Sequence, residues 1–144
     1  MKKKKLNKRL KVKGTKIEVE IRKVIRSFQM KYYCNYSKLE GKPDIVIPKK
    51  KVAIFVNGCF WHHHLSSYCK IARIPRKNHE YWETKFTNNR KRDFRNYTKI
   101  TKKGWKVVIM WECEINSRKN TLGLYVMDKL YHLISDESDK NVYD

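Results

Sequence analysis

The stretch "VNGCFWHHHLSSYC", Val56 to Cys69, sets Cys59, His64 and Cys69 in a single short segment, with four residues between each and the next. A further cysteine, Cys113, closes a distant apolar run. Two or three thiolates plus an imidazole suit tetrahedral zinc, and four protein ligands make a closed, structural site. Such a site would pin the loop to the end of the apolar run, so any fold must bring the two together. The imidazole comes from His64 or its neighbour His63. Ordinary buried cysteines and surface histidines are the bland alternative, and three adjacent histidines between two cysteines argue against it. Cys34 lies away from the group and reads as a free, buried thiol.

Around this segment the chain reads as alternating helices and strands. "TKIEVEIRKVIRSF" predicts a helix: Ile17, Ile21, Val24, Ile25 and Phe28 recur on one face, and Thr15 with Glu18 fits a capping box. Gly41-Lys42-Pro43 signals a turn before a strand, "DIVI" (Asp44–Ile47). Pro48 and three lysines make a hairpin-like turn into a second strand, "VAIFV" (Val52–Val56). A long basic helix is expected over Asn78–Lys103, stopped by Gly104. "WKVVIMWE" (Trp105–Glu112) is a third strand, and a closing helix is expected over Asn120–Ser135. The expected class is α/β, a small mixed sheet flanked by helices. The expected organisation is a basic arm over residues 1–14 and one domain over 15–144.

The chain of 144 residues carries 35 Lys+Arg against 14 Asp+Glu, a net charge of +21. Solubility does not require that excess, whereas a polyanion such as nucleic acid does. Hydrophobic residues make up 40 %, too many for a disordered tail. No apolar run is long enough to span a membrane, and no h-region follows the basic N-terminus. A cytoplasmic protein without membrane partners is the expectation.

In so basic a chain, Asp44 stands out at the head of a strand. A carboxylate there suits Mg²⁺, which prefers hard oxygen ligands, and metal-assisted phosphodiester hydrolysis needs such a ligand. Hairpin pairing would bring Asp44 to the backbone of Val56, whose carbonyl could serve the same ion. His62 lies just beyond, and an imidazole is a side chain suited to general-base work near neutral pH. Glu18 could hold water in the outer shell of the ion, or merely complete its capping box.

These residues resemble a known family. "GKPDIVIPKKKVAIFVNGCFWHHH", "IPRKNHEYWETK" and "GWKVVIMWECEI" are similar to the very-short-patch repair endonucleases, the Vsr family, from about Thr15 to Ile115. The resemblance implies a fold like the type II restriction endonucleases, of the PD-(D/E)xK type, with a structural zinc. It implies an Mg²⁺-dependent enzyme that nicks one strand of duplex DNA 5′ to the thymine of a T:G mismatch, the product of 5-methylcytosine deamination. By position it implies Asp44 and the Val56 carbonyl as Mg²⁺ ligands, His62 as the catalytic histidine and Glu18 as the glutamate of the first helix. Cys59, His64, Cys69 and Cys113 match the zinc set. Phe60, Trp61 and Trp82 match aromatics that wedge into the duplex, where a mismatch opens more cheaply than a normal pair. Lys85 matches a residue that faces DNA.

On the long helix, Arg90, Lys91, Arg92 and Arg95 are candidate phosphate contacts. Asn57 departs from the pattern, because the family can carry a second histidine there. Asparagine cannot act as a base, though it can orient water or phosphate. The expected partners are mismatched duplex DNA and other mismatch-repair proteins, met by a nucleoid-associated monomer, since cutting one strand needs one active site. A Vsr-like restriction or homing-type enzyme that cuts matched duplex or another lesion is the alternative. A zinc module that only binds DNA ranks third.

Overall fold

A computed structural model of the chain describes residues 15–135. The basic arm expected over residues 1–14 lies outside the described residues. The elements run α1 (Lys16–Ser27), β1 (Tyr33–Cys34), β2 (Ile45–Ile47), β3 (Val52–Asn57), α2 (His79–Lys102), β4 (Lys106–Trp111), α3 (Glu112–Asn116) and α4 (Leu122–Ile134). The expected order of elements therefore holds, with two additions. A two-residue strand, β1, pairs with β2, and the short helix α3 follows β4 directly.

The sheet has the order β1-β2-β3-β4. β2 and β3 pair antiparallel, with Ile45 opposite Ile54 and Ile47 opposite Val52. The turn between them is one 3-10 turn, Pro48–Lys50, closed by Lys51 at a left-handed φ of 50°. β3 and β4 pair parallel, Val52 opposite Lys106 through Asn57 opposite Trp111. Parallel neighbours need a long crossover, which α2 supplies. Gly104 ends that crossover at φ 82°, where an L side chain would be strained.

Alternation along β3 divides the core. Val52, Ile54 and Val56 join Ile21, Ile25, Val126 and Leu130 in a cluster that packs α1 and α4 on one face. Ala53 and Phe55 join Val46, Ile100 and Tyr97 beneath α2 on the other. Both faces of the central strand are covered, which is why its sequence is apolar almost throughout. The pairing puts the start of β2 and the ends of β3 and β4 at one edge of the sheet. Asp44, Val56, the start of the cysteine–histidine segment and Cys113 lie there.

Candidate active site and metal centre

At that edge Asp44, the residue before β2, accepts a hydrogen bond through Oδ2 from the backbone N–H of Val56 at 2.7 Å. Burial is the main cause that pushes its carboxyl up, to about 6, and the charge of Glu18 adds to it. The Val56 N–H, His62 and Arg22 pull the other way. Asp44 is thus a half-buried carboxylate with little positive charge around it, as a ligand for a hard cation would be. Glu18 does not complete the expected capping box. Thr15 Oγ1 caps the Glu18 N–H at 3.3 Å, but the Glu18 carboxylate turns to Arg22 at 3.2 Å instead of back to the cap. Cys34 is a free thiol, as expected, but it is partly exposed.

The loop after β3 carries His62. Its Nδ1 lies 2.7 Å from Oδ2 of Asp93 on α2. A carboxylate that accepts from Nδ1–H fixes the tautomer and leaves Nε2 as the basic nitrogen. Burial opposes the charge on Asp93, but hydrogen bonds from His62 and Arg92 outweigh it and hold the carboxyl below its ordinary range. Sequence reasoning missed Asp93. The available signal was that it is the single acidic residue between Glu83 and Glu112.

The expected metal ligands also converge. Single donor atoms of Cys59, His64, Cys69 and Cys113 all lie within 4.8 Å of one another. His64 Nδ1 is 3.8 Å from the Cys59 sulfur and 3.4 Å from that of Cys113. A tetrahedral zinc separates such donors by roughly 3.5–3.8 Å, so the set fits one ion of that size. Burial pushes the Cys59 thiol up to about 12, a cost that a bound cation would remove. The neighbouring elements hold the set in shape: Trp111 stacks on His64 at 4.1 Å, and Glu112 accepts from the Cys59 N–H at 3.1 Å. Cys113 sits in the first turn of α3, one residue past the expected strand. His63 does not belong to the set. It stacks on Phe86 and meets the guanidinium of Arg90.

Beside His62 the aromatics form one cluster. Phe60 meets Trp61, Trp82 and Phe86 edge-on, with ring centroids 5.0–5.3 Å apart. Phe86 is the buried floor, while Trp61 stands 54 % exposed. Lys85 reaches over the rings of Trp61, Tyr81 and Trp82 at 5.6–5.7 Å. Asn89 on α2 donates to the carbonyl of Trp61 at 3.0 Å and steadies the loop that carries it. Of the expected phosphate contacts, Lys91 and Arg95 are exposed. Arg92 is drawn to Asp93 at 3.0 Å, and Arg90 is occupied by His63. Asn57 is 3 % exposed, and its amide donates to the hydroxyl of Tyr97 at 3.0 Å.

Comparison with known proteins identifies the family. Residues 1–68 match the family model described as DNA mismatch endonuclease Vsr. A type II nicking enzyme of Neisseria meningitidis is 41 % identical over 106 residues, 74 % of this chain and 74 % of that protein. A second type II nicking enzyme, from Xanthomonas oryzae, is 36 % identical over 104 residues, 72 % of this chain and 74 % of that protein. The DNA mismatch endonuclease Vsr of Escherichia coli is 30 % identical over 123 residues, 85 % of this chain and 77 % of that protein. With relatives this similar over about three quarters of its length, the chain belongs to the Vsr family of DNA endonucleases.

Proposed function

We propose that this protein nicks one strand of duplex DNA 5′ to the thymine of a T:G mismatch, with Mg²⁺ for catalysis and a structural zinc. The observation that carries the reading is the meeting, at one sheet edge, of the half-buried Asp44–Val56 contact with the His62–Asp93 pair. A divalent cation bound there neutralises phosphate charge and polarises the scissile bond. Asp44 and the Val56 carbonyl are the residues to hold it, with Glu18 adding negative charge from α1. His62 takes the proton of the attacking water on Nε2, and Asp93 keeps that nitrogen basic and stabilises the imidazolium that results. Cys59, His64, Cys69 and Cys113 hold the zinc, which fixes the position of His62 through the loop the two share.

Phe60, Trp61 and Trp82 suit a wedge. Trp61 is exposed, backed by the others, and has a cation beside it. Pushing such a wedge between base pairs costs a few kcal/mol per step, about what a weak mismatch already concedes. The field of +21, with Lys85 over the aromatic cluster and Lys91 and Arg95 exposed along α2, supplies phosphate affinity that does not depend on sequence.

The test is single-turnover cleavage of a T:G duplex in Mg²⁺ by the wild type, Asp44→Ala and His62→Ala. The wild type should nick. Both variants should lose at least roughly 100-fold in rate while still binding the duplex. Full activity in Asp44→Ala contradicts the proposal.

A further inference from the structure

A pocket of about 440 Å³ opens beside His62, and Asn57, Asp93, Tyr97 and Trp111 are among its lining residues. Several polar groups in its wall have no part in the reaction above, Asn57, His63, Ser66, Arg90 and Tyr97 among them, and the Tyr97 hydroxyl is the one placed as a donor. Tyr97 lies one helical turn beyond Asp93 on the same face of α2. Its ring packs edge-on against Phe55 at 4.9 Å, which fixes the direction of the hydroxyl. Asn57 donates to that hydroxyl, so the phenol oxygen already serves as an acceptor. Its own proton has no acceptor among the described residues. A hydroxyl in this state is an aimed donor.

Its surroundings say what it is aimed at. Burial pushes Tyr97 up to about 12, and the charges of Asp93 and Asp44 push the same way, so the phenol keeps its proton across the working range. Asn57 directly follows Val56, whose N–H holds Asp44. The Asn57–Tyr97 bond therefore joins the strand end that carries the cation ligands to the helix that carries Asp93. A neutral donor in the wall that Asp93 and His62 also line suits an oxygen that enters the pocket from outside.

We propose that the Tyr97 hydroxyl, held by Asn57, donates a hydrogen bond to a non-bridging oxygen of the scissile phosphate. The inference rests on the nuclease reading. Tyr97 would touch the substrate and stabilise the charge that builds on that oxygen as water attacks. Asn57 would act as its positioning residue.

The experiment measures single-turnover nicking by the wild type, Tyr97→Phe and Asn57→Ala. The substrates are T:G and matched duplexes with either normal or stereopure phosphorothioate linkages at the cut. Tyr97→Phe keeps the ring packing, and thermal melting checks that it folds. Its nicking rate should fall at least tenfold, with DNA affinity within twofold of wild type. For one thio isomer, not rescued by Mn²⁺, sulfur should slow the wild type but not slow Tyr97→Phe further. A structural role alone gives no such non-additivity. Asn57→Ala should show a smaller loss of the same kind. Unchanged nicking by Tyr97→Phe overturns the inference, and so do thio and Phe effects that simply multiply. Cutting of matched but not T:G duplex overturns the mismatch reading and leaves the Tyr97 comparison valid on the matched substrate. No cutting of any duplex by the wild type overturns both.

Discussion

Replacement of Asp44 by asparagine should destroy activity and make the protein more stable. The carboxyl is pushed up to about 6 from an ordinary 3.8, chiefly by burial. The native state therefore binds this proton more tightly than the unfolded chain does. The sign follows from linkage: the contribution is fully present below about pH 4 and is lost as pH rises through 6. At pH 7.5, without Mg²⁺, the ionised group costs up to roughly 3 kcal/mol relative to a neutral one of the same shape. Asparagine keeps the size, removes the charge and retains an oxygen for the Val56 N–H. The expected gain, several degrees in melting temperature for a domain of this size, should appear at pH 7.5 and vanish near pH 4. Denaturation followed by circular dichroism from pH 4 to 8 measures it, with zinc retained and Mg²⁺ omitted. Added Mg²⁺ should stabilise the wild type and narrow the gap. Lower stability of Asp44→Asn at pH 7.5, or a difference that does not vary with pH, refutes the reasoning.

Three further outcomes are expected. Asp93→Asn should cut the nicking rate by roughly 100- to 10,000-fold, because His62 loses its orienting carboxylate; single-turnover rates with unchanged DNA affinity check this. In the native protein the hydrogen bonds to Asp93 contribute stability above about pH 4 that is lost as pH falls through its depressed pKa. Cys59→Ser should lower bound zinc, measured by elemental analysis, and raise proteolysis within the 58–70 loop while β3 and β4 stay protected from hydrogen exchange. Trp61→Ala should weaken binding to mismatched duplex by roughly ten- to a hundredfold, the loss of one aromatic stack. Its affinity for matched duplex should change far less, as competition titrations would show.

The core strands were legible because burial on both faces leaves uninterrupted β-branched runs, as in "VAIFV" and "WKVVIM". The first and long helices were placed to within a residue at either end. β1 escaped notice because two residues carry no period, and α3 because five residues that follow a strand look like its continuation. At the site, the cysteines and histidines were visible as rare residue types at ligand spacing. Asp44 was visible as an acid at a strand head. Asp93 and Tyr97 were not. Along the helix they read as polar members of a basic, solvated face. Only the crossover brings them to His62 and Asn57, 31 and 40 residues away in the chain. The same packing pairs Arg90 with His63 and Arg92 with Asp93, partners that charge alone did not suggest.

The most direct measurement is strand-resolved nicking of three labelled duplexes of one sequence library: matched, T:G and U:G, each with Mg²⁺ and with Asp44→Ala as control. Nicks confined to the thymine strand of the T:G duplex, absent from the control, are expected. Cutting of the matched duplex at an equal rate, or cutting that survives in Asp44→Ala, contradicts a mismatch-directed nicking enzyme built on this carboxylate.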